Sequence, residues 1–258
     1  MHEQTIPSRL GPIHARRAGG GPPVVFWHSL FVDGRSWMAV AQALAADHDV
    51  VVLDGPAHGR SPGPGRRFTI DECAQAAVEI LDALELPVVD WIGNAWGGHV
   101  GIALARRAPQ RLRSLAVLCS PLQPIGRASR VQVQLLMAIY RLFGPIGLVA
   151  GAVQDALVLP ENAAARVHVG EVFRAQDRAA LTHAMHSVML GRTSLEGPVP
   201  VKALFVSGAG SREWPTARAR AQAAAAGARH AELPGRHLPP LEAADATTAL
   251  LRGWLAER

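Results

Sequence analysis

Short unbroken apolar runs, separated by stretches of helical spacing, organise the first 120 residues. Val24-Val25-Phe26-Trp27 follows a Gly/Pro turn at 19–23 and predicts a strand buried on both faces. Residues 37–45 have helical periodicity, and Val50-Val51-Val52-Leu53 predicts a second buried strand ending at Asp54 and a Gly/Pro-rich loop over 55–65. A helix is expected from Thr69 to about Glu85, with Asp71 and Glu72 in its first turn, where negative charge opposes the helix dipole. Val88-Val89-Asp90-Trp91-Ile92 predicts a third strand, then a glycine-rich turn over 93–98 and a helix over 99–108 that stops before Pro109. Further strands are expected over 115–118, 203–206 and 231–233, with helices from about 216 and about 241.

Strands alternating with helices imply a mostly parallel sheet covered on both faces, an α/β architecture. The alternation breaks over 121–197, where only helical patterns occur: Val131, Leu135, Ile139 and Leu142, then Val172, Leu181, Met185 and Val188. This predicts a core of residues 1–120 and 198–258 with a helical cap of residues 121–197 inserted between two strands. The apolar face of the helix over 131–143 is expected to pack inward over a pocket, with pairing to a neighbouring molecule as the other use of such a face. The oligomeric state is not legible.

Charge changes the picture little. The formal charge is +5, but nearly every basic residue is arginine, Lys202 is the single lysine, and no basic run of five occurs. The group Arg106, Arg107, Arg111 and Arg113 reads as a solvated helix end and turn, and no nucleic-acid partner is expected. Residues 1–9 lack an apolar signal core, and the most apolar stretch, 135–159, is interrupted by Arg141, Gly144-Pro145 and Asp155. A cytoplasmic protein with no membrane partner is the expectation. Cys73 and Cys119 sit in apolar stretches and read as free thiols of a reducing compartment. His183 and His186 stand three apart without a further ligand, so no metal site and no cofactor are expected.

Candidate chemistry gathers at the carboxyl ends of the predicted strands, where open α/β sheets bind ligands. His28-Ser29-Leu30-Phe31 follows the first apolar strand, and 54–61 (DGPAHGRS) the second. Gly93-Asn94-Ala95-Trp96-Gly97-Gly98 forms the strand-to-helix turn, and Gly235-Arg236-His237 follows the last strand. In this order the four motifs resemble the α/β-hydrolase superfamily, over about residues 11–255. The resemblance implies that the residue at 95 projects from a strained elbow as a nucleophile and that His237 is the base. It further implies that the backbone N–H groups of Leu30 and Trp96 form an oxyanion hole. Phe31, Trp96 and cap residues would line an apolar pocket.

Two positions depart from the family pattern. Ala95 carries a methyl group, which cannot attack a carbonyl. The usual acid position reads Gly208-Ala209-Gly210-Ser211, so Glu213, two residues on, is the candidate partner of His237; Asp54, another nearby carboxylate, reads as a loop-shaping residue, as do His28 and His58. Three accounts of Ala95 stand open: a replaced serine, a natural enzyme run by His237, or a pseudoenzyme that binds without turnover. The reading adopted is an enzyme on a small, largely apolar substrate, cleaving an ester or related C–O or C–C bond with His237 as general base. A ligand-binding pseudoenzyme, or a cofactor-free lyase or oxygenase-type reaction, is the alternative.

Overall fold

The computed structural model describes residues 1–191, 194 and 197–257. Residues 192, 193, 195 and 196 of the expected cap, and the last residue, lie outside the described residues. Eight strands form one sheet: β1 (His2–Ile6), β2 (Ile13–Ala18), β3 (Pro23–Trp27), β4 (Asp49–Leu53), β5 (Val89–Asn94), β6 (Leu112–Leu118), β7 (Lys202–Gly208) and β8 (Arg229–Leu233), in the order β1-β2-β4-β3-β5-β6-β7-β8. From β4 to β8 every neighbouring pair is parallel. Five helices of the α/β layers flank it: α1 (Met38–Leu44), α2 (Ile70–Ala83), α3 (Trp96–Arg107), α8 (Thr216–Ala226) and α10 (Ala244–Ala256).

The apolar runs are continuous because successive side chains enter two different cores. Val25 and Trp27 of β3 join Val51, Leu53, Trp91 and Leu115 in the layer beneath α2 and α3. Val24 and Phe26 join Val50, Val52, Ile92 and Ala116 in the opposite layer with α1 and α10. A strand covered on one face only would have shown alternation with polar residues. The helix expected from Thr69 is capped there as a capping box, its hydroxyl accepting the Glu72 N–H at 3.1 Å while the Glu72 carboxylate accepts the Thr69 N–H at 2.9 Å.

The pattern reading missed β1 and β2, which pair antiparallel with each other, β2 also pairing antiparallel with β4. Their inward residues are ionic as well as apolar. Arg16 and His14 are buried against Asp54, and Arg17 holds Asp49 at 2.6 Å. Burial by ion pairing leaves no hydrophobic period to detect. The expected solvated arginines also find partners: Arg111 donates to Asp82 at 2.6 Å and to the Pro87 carbonyl, and Arg113 to Asp90 at 2.6 Å.

Between β6 and β7 the chain leaves the sheet for four helices, α4 (Arg127–Phe143), α5 (Gly147–Leu157), α6 (Ala163–Ala175) and α7 (Arg178–Met185), the last continued by a π turn over His186–Leu190. Val172, Leu181, Met185 and Val188 are buried as expected. The α4 stripe is buried only in part: Ile139 packs against the core, whereas Val131, Leu135 and Leu142 are 64%, 62% and 70% exposed. The inward face instead carries Val133, Leu136, Met137 and Tyr140. Periodicity located an apolar face, but α4 has two, and the sequence does not say which one is covered. An aromatic relay joins these helices to the core, Phe31 edge-on to Phe173 at 5.4 Å and Phe173 stacked on Tyr140 at 5.2 Å. A last short helix, α9 (Pro239–Glu242), follows β8.

Candidate active site

Ala95 joins β5 to α3 in a strained backbone conformation, φ 48° and ψ −99°. Such conformations cost on the order of 1–3 kcal/mol and persist only where the surroundings enforce them. Glycines provide that enforcement. A Cβ on Gly93 would stand 2.1 Å from the Gly97 carbonyl, and one on Gly97 2.2 Å from the Trp27 carbonyl, so strand and helix meet backbone to backbone. The Ala95 N–H donates to the Leu118 carbonyl at 2.7 Å, and the Ala95 carbonyl accepts the Ser120 hydroxyl at 3.0 Å. Trp96 is the first residue of α3, so its N–H has no acceptor within the helix. Its ring lies in the core among Trp27, His28, His58 and Phe68.

The loops after β3 and β4 are held by buried polar groups. His28 Nε2 accepts the Gly55 N–H at 2.8 Å while Nδ1 faces the Ser29 carbonyl at 2.7 Å, which fixes a neutral ring protonated on Nδ1. Burial pushes its pKa down, against the smaller raising effect of that carbonyl. His58 lies beside it, the rings tilted with centres 5.0 Å apart, and burial lowers its pKa to about 3. Asp54 accepts from His14, Arg16 and the N–H groups of Gly34 and Arg60. Burial raises its pKa, but the Arg16 charge, the Arg60 N–H and the other partners outweigh this and hold it below the usual carboxylate value. These three residues hold the loops after β3 and β4, as the sequence suggested.

His237 sits in the loop after β8, buried, with its N–H donated to the Leu157 carbonyl of α5 at 3.1 Å. Its own carbonyl accepts from Asn94 Nδ2 at 3.0 Å, and the same amide reaches the Leu118 carbonyl at 3.1 Å. Asn94 thus ties the elbow to the histidine loop. Glu242 frames the loop from the other side: its carboxylate accepts the N–H groups of Arg236 at 2.8 Å, Leu238 at 3.2 Å and Leu159 at 2.9 Å. The Arg236 guanidinium reaches the carbonyls of Asp155 and Val158. The loop after β7 lies alongside, with the Gly210 N–H donated to the Gly235 carbonyl at 2.8 Å. Ser211, at the family's acid position, accepts the Trp214 N–H at 3.2 Å and serves the turn. Glu213 is exposed at the rim, its backbone carbonyl accepting from Gln123 at 3.3 Å.

A cavity of about 550 Å³ opens between the strand ends and the inserted helices. Ala95, Trp96, His237, Glu213, Leu30 and Phe31 all line it. The structure therefore brings every candidate site residue to one space. Leu136, Val133, Val153, Leu157, Val188 and Met189 supply apolar wall, and Ser29, Gln123, Gln132 and Arg218 are polar points. Among the lining residues that the sequence reading did not single out is His99, buried on α3 and four residues after Ala95. The signal existed, since residues four apart on a helix share a face. Among the described residues no cluster suited to a metal ion occurs. Both thiols are free and buried; burial pushes Cys73 far up and Cys119 to about 12, which leaves neither a nucleophile.

Comparison with known proteins agrees with this geometry. The family model described as alpha/beta hydrolase fold matches residues 22–143. A 2-hydroxymuconate semialdehyde hydrolase of Pseudomonas sp. (strain CF600) is 35% identical over 121 residues, 46% of this chain and 39% of that protein. A dihydrolipoyllysine-residue acetyltransferase component of the acetoin cleaving system of Pseudomonas putida is 36% identical over 101 residues, 39% of this chain and 27% of that protein. The matches to these two curated relatives span well under half of those proteins' lengths. Among solved structures, the enol-lactonase of Burkholderia xenovorans LB400 superposes with a TM-score of 0.89 at 25% identity, covering 98% of this chain and 100% of that one. An esterase of Thermogutta terrifontis superposes at 0.90 with 21% identity, covering 99% and 98%. The chain has the α/β-hydrolase fold, with Ala95 in its strand-to-helix elbow.

Proposed function

We propose that the chain is an enzyme acting on a small, largely apolar organic molecule held between the sheet and the helical cap, 121–197. His237 serves as general base towards water or an acidic substrate proton. The N–H groups of Trp96 and Leu30 stabilise the oxyanion or enolate that forms, and Glu213 is the carboxylate that orients the imidazole. Ala95 leaves no covalent acyl intermediate in this scheme. The observation that supports it most is the common cavity: Ala95 of the strained elbow, His237 from the far end of the chain, Leu30 and Trp96 all line one largely apolar space. A positioned base contributes about a hundred- to ten-thousand-fold, enough for an activated ester or lactone and too little for an ordinary amide. The name of one solved neighbour, an enol-lactonase, points to the same bond class.

The test is turnover of activated aryl esters and enol-lactones by the protein and by His237→Ala. The proposal expects kcat/KM to fall about a hundredfold or more in the variant. A methyl group at the elbow favours a second reading, ligand binding without turnover. That reading expects no reaction in either protein and nearly equal ligand affinity.

A further inference from the structure

We propose that the outer face of α4 and the α4–α5 junction docks on the surface of an anionic lipid bilayer. Of the eight large apolar side chains left exposed among the described residues, six fall between positions 131 and 148: Val131, Leu135, Leu142, Phe143, Ile146 and Leu148. Leu142 and Leu148 are 70% and 81% exposed. On α4 the spacing 131, 135, 142 makes one stripe, since four and eleven residues both return close to the same helix angle. Ser129, Gln132, Val133 and Leu136 lie on the other side and line the cavity. One helix therefore walls the candidate active site with one face and offers an unpartnered apolar face to the exterior.

Charge selects the occupant. No Asp or Glu occurs from position 91 to 154, whereas α4 carries Arg127, Arg130 and Arg141, all exposed, around the apolar stripe. Arg178 donates to the Leu142 carbonyl at the edge of the stripe. A second concavity of about 440 Å³ borders it, lined by Arg67, Arg141, Arg178, His183 and His186 with Asp177 as its acid. Such a recess suits the phosphate of a lipid headgroup. A second copy of the chain would bring this arginine rim against an identical one, whereas an anionic bilayer offers hydrocarbon for the stripe and negative charge for the rim. No described helix is long and apolar enough to cross a membrane, and a helix lying in the interface does not need to be. The proposal thus departs from the sequence expectation of no membrane partner, which rested on the absence of a spanning segment. It does not depend on the cavity being catalytic.

The experiment is sedimentation of the full chain with phosphatidylcholine vesicles, with and without about one-third phosphatidylglycerol, at low and high salt. The expected result is binding to the anionic vesicles at least about tenfold tighter than to the zwitterionic ones, weakened by salt. Leu142→Ser combined with Leu148→Ser should cut binding about tenfold or more, and Arg127→Gln with Arg141→Gln should remove the preference for anionic lipid. The first pair is more than two-thirds exposed, so an unchanged melting temperature is expected and serves as the folding control. Equal binding to both vesicle types at low salt, or undiminished binding by the serine pair, overturns the proposal. So does light scattering that shows a stable dimer dissolved by the serine pair without vesicle binding.

Discussion

His58 offers a measurement of how far the loops beside the site depend on neutral, buried histidines. Its ring is fully enclosed between His28 and Trp96, with Nδ1 facing the Pro56 carbonyl at 3.0 Å. Burial moves its pKa from about 6.5 in the unfolded chain to about 3 in the folded one. Between those values the unfolded state binds a proton that the folded state refuses, so stability is lost as pH falls below about 6.5. At pH 5 the unfolded chain is almost fully protonated at this site and the folded one almost not at all. The resulting loss relative to pH 8 is about 2 kcal/mol, equivalent to roughly 4–8 °C in melting temperature for a chain of this size. His28 is lowered in the same direction, and its Nε2 must stay unprotonated to accept the Gly55 N–H. The assay is thermal unfolding from pH 8 to 5 for the protein and for His58→Asn, whose amide nitrogen can still face the Pro56 carbonyl. Burial also lowers His168, His186 and His230, so a shared slope is expected and the difference between the two proteins is the readout. The variant should lose about 2 kcal/mol less on going to pH 5. Parallel curves for the two proteins would refute the account of a buried neutral His58.

Gly97→Ala should destabilise the protein by about 3 kcal/mol or abolish folding, because the new Cβ would lie 2.2 Å from the Trp27 carbonyl oxygen and backbone has nowhere to retreat. Urea denaturation measures this, and a loss under about 1 kcal/mol would show the elbow to be more pliant than its contacts imply. Glu242→Ala should cost about 2–4 kcal/mol, since three N–H groups lose a charged acceptor. Amide exchange at Arg236 and Leu238 should accelerate well beyond that at β5 residues, and uniform acceleration would argue against a local role for the carboxylate.

The sheet was legible because its strands are buried on both faces, and double burial writes itself as unbroken apolar runs such as Val50 to Leu53. The elbow was legible because Gly93 and Gly97 are demanded by backbone contact, which no other residue type satisfies. Legibility failed where burial is not hydrophobic. β2 hides Arg16 and His14 by pairing them with Asp54, which stands thirty-eight and forty residues away, and no local pattern announces a distant counter-charge. It failed again at α4, where period locates a face and tertiary structure decides its neighbour. That Glu242 binds the N–H groups on both sides of His237 follows from the turn into α9, a geometry with no sequence signature.

The methyl group at position 95 leads to a sharper conclusion than a missing hydroxyl would suggest. Nothing in the elbow's conformation depends on the side chain: glycines on either side, the Leu118 carbonyl and the Ser120 hydroxyl fix the backbone of Ala95. A backbone held from outside keeps the N-terminus of α3 aimed at the cavity whatever residue occupies the turn. Adding a hydroxyl at the β-carbon therefore requires no rearrangement, and the cavity has room for one more atom. Ala95→Ser should fold with a melting temperature within a few degrees of the parent, since the strain resides in the backbone and is already present. If His237 and the proposed backbone donors are aligned, the variant should give a pre-steady-state burst on activated aryl esters, the signature of an acyl-enzyme. A well-folded Ala95→Ser protein without a burst would mean that the imidazole does not face the elbow, and His237 would then lose its proposed role as a base for either residue.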